Sequence, residues 1–550
     1  MKFNLFLIAS LLLGASSFCQ TVGLTQRTAE SLDDGYVLFA PIGSTTTYMV
    51  DKCGRQVKTW NSSYKPGQSV YILSDGTLLR TGNANNATFT AGGKGGIIEK
   101  IDWNGTVIWT YTISDATKCQ HHDVKALPNG NVLVVAWESK TNAEAVAQGR
   151  NPALVPATVW SEQILEIQPV GASGGNIVWE WHLFDHLVQD FDATKPNYGV
   201  ISTNPQLLNV NYSASATQKD WIHLNSIDYN PVLDQILLSS HAMSELWIID
   251  HSTTTLQSAA HSGGNSGKGG DILYRWGNPQ AYNNGGAGNQ KLFGQHNAHW
   301  IETGLPYANQ IMVFNNGLNR TGGNYSTAEI INPPVTGYNY TPTLPYLPAS
   351  NSWIYNNGNS NNYYAQNISG AQQLSNGNVL LCNGPKGTFT EVNGAGAKVW
   401  EYVNPVSGTG IIAQNVLPTQ NLVFRCGFYP NNFLGFLGHT LTPTATIENT
   451  NSVSASCNLA TNIENDLSNN DFKIFPNPTK DNLTIFVAPS ENNNLEAQII
   501  NALGEIVFKQ KNIQPAIQYT FNLENLHNGI YFLKLVGNNK TITQKIVVAQ

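Results

Sequence analysis

The chain is poor in charge. Of its 550 residues only 12% are Asp, Glu, Lys or Arg, about half the usual share, and 29 basic against 36 acidic residues leave a net charge of -7. That balance implies no basic face of the kind a nucleic-acid partner would require. A disordered polyelectrolyte is excluded as well, because 41% of the residues are hydrophobic. Past the N-terminus no apolar run is long enough for a transmembrane helix. The 6 cysteines are widely spaced without a Cys-x-x-Cys pair, which argues against a zinc cluster. A Gly-x4-Gly-Lys-Ser/Thr loop to cradle phosphates is missing too.

What is plentiful is turn chemistry. With 49 Gly, 25 Pro and many Asn, Ser and Thr, the composition favours an all-β protein. The length allows three or four domains, or one large repeat architecture with attachments. Lys2, the apolar stretch from Phe3 to Leu13 and the small residues Gly14 to Ser17 predict a secretory signal peptide over 1–19. Phe18, where a small residue would be needed, argues against acylation of Cys19. Cys53, Cys119, Cys382, Cys426 and Cys457 then allow at most two disulfides and leave one thiol over.

A half-unit recurs six times: an alternating strand, a polar turn, and a strand carrying tryptophan. It spans Tyr48 to Trp60, Ile98 to Trp109, Ile164 to Trp179, Leu246 to Trp276, Ala328 to Trp353 and Phe389 to Trp400. A second half-unit, with a tight turn before an apolar strand, starts at Leu73, Leu127, Tyr229, Leu374 and Leu417. Two hairpins per repeat predict four-stranded sheets, and six of them a six-bladed β-propeller over 20–445. The tryptophans are expected to wedge neighbouring blades together. Insertions at Leu183 to Asp220, Ser252 to Asp271 and Asn316 to Ser350 should be loops around one mouth of the channel.

A polar linker is expected at 446–470, followed by alternating strands over 471–550 that predict a small β-sandwich. This tail carries Phe475-Pro476-Asn477-Pro478, a central Gly504, the run Gly529 to Lys534 and a closing Lys545-Ile546-Val547-Val548. In that order and spacing it resembles the type A C-terminal sorting domain of the type IX secretion system. The resemblance implies that machinery as a partner and passage to the cell surface.

Six of the 12 histidines fall in or just after three stretches, QHHDVKALPNGN, DWIHLNSIDYN and GQHNAHWIETG. His122, His223 and His296 lie at corresponding points before the second hairpins of successive repeats. In a propeller such points share one ring about the axis. Three chemistries suit such a ring: a metal site with Asp123 as carboxylate partner, an anion site with Arg275 or Arg425 adding charge, and a nucleophilic imidazole among charge-stabilising neighbours.

These stretches, together with SSHAMSELWIID and ILYRWGNP, resemble motifs of the bacterial arylsulfotransferases that use no nucleotide donor, over about residues 30–440. The resemblance implies a six-bladed propeller that moves a sulfuryl group from a phenolic sulfate to a phenolic acceptor. The route would be ping-pong through a sulfohistidine, with no cofactor or metal. Carried over, His296 is the nucleophile, His223 and Asn225 hold sulfuryl oxygens or assist the leaving phenolate, and His122 with Asp123 form the second blade's pair. His121 and, with no family position behind it, His299 are further candidate substrate contacts. Where better-known members carry a clamping arginine, this chain has His241, which would need protonation to do the same work. Arg275 is the candidate substitute. The alternatives are a propeller that binds an anionic or aromatic ligand without turnover, and an aryl sulfatase.

Overall fold

The computed structural model describes residues 20–341, 343–355, 363–448, 457, 472–487, 495–501, 504–514, 518–536 and 541–549. The expected signal peptide and most of the expected linker lie outside the described residues. No helix among them is long and apolar enough to cross a membrane. The protein is all-β and divides into two units, Met1–Cys457 and Asn458–Gln550.

The first unit folds into six antiparallel sheets of four or five strands, beside short two-stranded pairs. Sheet 1 joins the last strand of the unit, Val423–Pro430, to Gly35–Pro41, Thr46–Asp51 and Gln56–Asn61. Sheet 2 runs from Pro66–Ile72 to Val107–Thr112, sheet 3 from Lys118–Ala126 to Gly174–His182, and sheet 4 from Leu224–Asn230 to Tyr274–Trp276. Sheet 5 runs from His296–Trp300 to Trp353–Tyr355, and sheet 6 from Gly370–Gln373 to Lys398–Val403, with Gly23–Arg27 added at its edge. Each sheet's leading strand packs on that of the next sheet, and Gly370–Gln373 packs on Val423–Pro430, so the leading strands close a ring.

The inner strands read as nearly continuous apolar runs, such as Val132 to Trp137, because neighbours cover both faces. Their hairpins turn at Gly76, Gly130 and Gly377, whose φ values of +83°, +88° and +89° suit glycine, as the Asp-Gly and Asn-Gly pairs predicted. The six tryptophan-bearing hairpins are all present as adjacent antiparallel strands. Five of their tryptophans donate the indole N–H into the next sheet: Trp60 to Asp102 O at 3.2 Å, Trp109 to Gly174 O at 2.8 Å, Trp179 to Thr253 Oγ1 at 3.1 Å, Trp276 to Pro348 O at 3.0 Å and Trp400 to Lys52 O at 2.8 Å. The wedge is therefore a packed ring with a fixed polar anchor.

The turn at Leu417 closes no hairpin. The strand after it pairs instead with Gly35–Pro41, near the other end of the unit, because that strand is the missing inner member of sheet 1. Cys53 and Cys457 form a disulfide with Cα atoms 6.0 Å apart, and Cys119, Cys382 and Cys426 are free thiols. In the second unit, three-stranded and four-stranded sheets share one core that includes Leu483 and Phe521 from the former and Ile499, Leu533 and Ile546 from the latter.

Candidate active site

The leading strands break register where the histidines stand. Sheets 2 to 5 each show an irregularity in the pairing of their first two strands, and a non-glycine residue takes up positive φ within it or, for His223, just before it: Gln68 at 112°, His122 at 51°, His223 at 53° and Asn297 at 54°. A bulge of this kind re-aims a side chain out of the sheet, and left-handed histidine is uncommon enough to mark a constrained site.

Four imidazoles meet as a result. Ring centroids lie 4.6 Å apart for His122 and His223, 5.3 Å for His223 and His241, and 5.5 Å for His241 and His296. Phe424, on the closing strand of sheet 1, completes the circle at 6.3 Å from His296 and 5.9 Å from His122. A cavity of about 560 Å³ lined by Lys65, Gln68, Gly93 and Lys94, among others, adjoins His122 through Gly93. A Cβ on Gly93 would meet the His122 ring at 1.9 Å, so only glycine fits this approach.

Hydrogen bonds fix what each ring presents. Asn316 donates through Nδ2 to Ala365 O at 2.8 Å and Ile368 O at 2.9 Å, so its Oδ1 accepts from His296 Nδ1 at 2.8 Å. Gly294 O also faces His296 Nδ1, at 3.2 Å. With its proton held on Nδ1, His296 keeps a lone pair on Nε2. Burial pushes this imidazole well below its ordinary 6.5, and His241 pushes in the same direction. His296 is therefore a neutral imidazole at pH 7.

His223 differs in charge. Burial would lower its pKa, but the Asp220 carboxylate, 2.5 Å from Nδ1, outweighs burial and raises it above 6.5. Asp220 is held by the Trp137 indole N–H at 3.0 Å. Burial takes His241 down to about 4, with His223 adding to the shift, so His241 is neutral.

A buried relay lies behind His122. Glu162 Oε2 is 2.8 Å from His121 Nε2, and His121 Nδ1 is 2.8 Å from His122 Nδ1. Burial pushes Glu162 well above the usual carboxylate range, with Asp220 adding, and pushes both imidazoles well below 6.5. In the uncharged chain Glu162 donates to His121, His121 donates to His122, and His122 holds an Nε2–H. His121 is thus placed behind His122, stacked 3.9 Å from Trp137.

Other expected site residues stand outside the ring. Arg275 is fully buried, forks onto Glu245 and donates to Pro205 O and Leu207 O, so its guanidinium is already engaged within the protein. Asp123 is buried, pairs with Arg425 and accepts from Tyr71 and from the Ile227 N–H, tying sheets 1 to 4 together. Asn225 donates to Gln295 O at 2.7 Å and so holds the residue before His296. His299 faces Asn297 O at 3.1 Å and makes no ring contact with the four histidines among the described residues. Glu162, Asn316 and Phe424 went unforeseen, because each comes from a different sheet or loop with no motif of its own. Asp220 was visible as the first residue of the Asp-Trp-x-His stretch.

The family model described as arylsulfotransferase matches residues 24–410, and the one described as secretion system C-terminal sorting domain matches residues 473–549. The sorting domain is of the type IX system and indicates export to the cell surface or secretion. No curated protein matches the chain. Similar solved structures include a Bacteroides caccae protein of unknown function, at 11% identity and TM-score 0.38, covering 72% of this chain and 98% of that one. A Lactobacillus plantarum protein has 9% identity and TM-score 0.33, with 89% and 99% covered. An inactive virginiamycin B lyase from Staphylococcus aureus in complex with quinupristin has 11% identity and TM-score 0.31, with 70% and 88% covered. The first family match takes in more than half of the chain, and on it this chain belongs to the arylsulfotransferase family.

Proposed function

We propose that the six sheets are the blades of a β-propeller over 20–445, that the tail is a β-sandwich over 471–550, and that the histidine ring carries sulfuryl transfer from a phenolic sulfate to a phenol. The observation that carries this is the His296 imidazole, buried and neutral, with its proton pinned on Nδ1 by Asn316. Its Nε2 lone pair attacks sulfur in line, the N–S bond forms, and the S–O bond to the aryl group breaks. His223, charged through Asp220, stabilises the equatorial oxygens, and neutral His241 donates to them.

His122 gives its Nε2 proton to the departing phenolate. Protons then move from His121 to His122 and from Glu162 to His121, leaving the negative charge on Glu162. In the second half-reaction the acceptor phenol returns its proton along the same path while its oxygen attacks sulfur, and the N–S pair goes back to His296. No cofactor takes part. Lys65 and Lys94 beside the cavity suit an anionic donor.

The test uses 4-nitrophenyl sulfate with and without phenol, following nitrophenolate release and the intact protein mass. Release that depends on phenol, with a sulfuryl adduct on the protein, is expected. His296→Ala should lower the rate roughly 10,000-fold or more and remove the adduct. Full activity in that variant would sink the mechanism, and release that is indifferent to phenol would identify a sulfatase.

A further inference from the structure

The insertion between the third and fourth strands of sheet 4 has no part in the histidine ring. It runs along the last strand of sheet 3, with the Trp181 indole donating to Gly270 O at 2.7 Å and the Ser258 hydroxyl donating to Glu180 O at 2.5 Å. At this seam His186, from the loop after sheet 3, meets His261 and Asp271 of the insertion. Asp271 Oδ1 lies 2.9 Å from His186 Nδ1 and 2.7 Å from His261 Nδ1, and the three ligand atoms fall within 4.8 Å of one another.

His186 is oriented at both ring nitrogens. Its Nε2 is 2.7 Å from Ser258 O, a carbonyl that only accepts, so Nε2 donates there and Nδ1 is the atom turned to Asp271. The side chain is 1% exposed, so the cluster is closed to solvent on this side. The backbone carbonyl on the far nitrogen is also the usual partner that orients a metal-bound imidazole and fixes its tautomer. Trp181 stacks on the same ring, 5.5 Å away and 4° from parallel, which holds its direction.

We infer that His186 Nδ1, His261 Nδ1 and Asp271 Oδ1 form a site for a borderline-soft divalent cation of the zinc class, at the seam of sheets 3 and 4. Tetrahedral metal bonds of about 2.0–2.2 Å put ligand atoms about 3.3–3.6 Å apart, so an ion entering the cluster would widen its two hydrogen-bond spacings by about 0.4–0.9 Å and stay within its span. Two imidazoles and one carboxylate are the ligand types that suit zinc, nickel or copper better than calcium or magnesium. His261, with 60% of its side chain exposed, leaves an open side for water or a fourth ligand. The role of the ion is structural, because it clips a loop of some twenty residues onto the neighbouring sheet.

The test is equilibrium dialysis of the chelator-treated full chain against zinc ions alone, with bound metal counted by mass spectrometry. One tight equivalent is expected in the wild type and in His241→Ala, whose lesion lies in the histidine ring. His261→Ala and Asp271→Asn should each weaken that equivalent at least tenfold. His261→Ala should keep its far-ultraviolet dichroism and its sulfuryl-transfer rate, since an exposed side chain is all that changes. Absence of tight zinc, or an equivalent that survives both substitutions, would overturn the inference and leave His186, His261 and Asp271 as a hydrogen-bonded cluster only.

Discussion

At the residue scale the proposed transfer divides the ring's labour by charge, and that division sets a pH profile. His296 must be neutral, and its pKa lies well below 6.5 through burial, so transfer should persist as the pH falls past 6.5 and fail only well below it. His223 must be charged, and its pKa is raised because Asp220 outweighs burial, so the rate should fall on the alkaline side as that proton leaves above pH 6.5. Asp220→Asn removes the charge that holds the proton. The alkaline limb of kcat/KM for 4-nitrophenyl sulfate should then move to lower pH and the plateau should drop, on the order of 100-fold for a lost stabilising cation. An alkaline limb that stays in place would end the assignment of His223 as the charged group. The histidines were legible because they recur at one point of a repeat. Arg275 looked like an available cation because its partner, Glu245, sits thirty residues away on an adjacent strand and nothing local announces the pair.

Elements are joined by the same kind of long-range polar contact. His251, just after the third strand of sheet 4, bridges Asp234 of its own sheet at 2.7 Å and Glu166 of sheet 3 at 3.0 Å. Burial would lower its pKa, but these two carboxylates prevail and raise it to about 9. A raised value means the folded state holds the proton more tightly than the unfolded chain. The stabilisation is therefore complete below pH 6.5 and is lost as the pH climbs through about 9. The span between those values corresponds to about 3 kcal/mol. Urea midpoints of the wild type should fall between pH 6.5 and 9, and His251→Gln should be less stable at pH 6 and flatter across that range. Equal slopes in both proteins would remove His251 as the source. The hairpins of these sheets were legible from tryptophan spacing and Asn-Gly turns, which are local signals. The inner hairpin of sheet 5 was not, because its strands His296–Trp300 and Ile311–Asn315 are linked by a long irregular loop instead of a tight turn.

For the whole molecule the decisive feature is one strand that local sequence cannot assign. Val423–Pro430 looks like the second half of a final repeat, yet its partner is Gly35–Pro41, close to four hundred residues earlier. It brings Val423, Phe424 and Phe428 into the core, each worth about 1.5–3 kcal/mol of burial, and Arg425 to neutralise Asp123. Losing the strand would forfeit that burial and leave a buried carboxylate without its cation, itself a cost of about 3–5 kcal/mol. The sum reaches the whole margin of an ordinary domain, about 5–15 kcal/mol. The tail stands in a different relation to the fold, because its sheets bury a core of their own. A chain ending at residue 457 should therefore melt cooperatively and turn over 4-nitrophenyl sulfate as the full chain does. A chain ending at residue 418 should fail to fold. If the shorter chain kept a cooperative transition and its activity, the leading strands would not need closure by Val423–Pro430, and the ring of six sheets would have to be held by the tryptophan anchors alone.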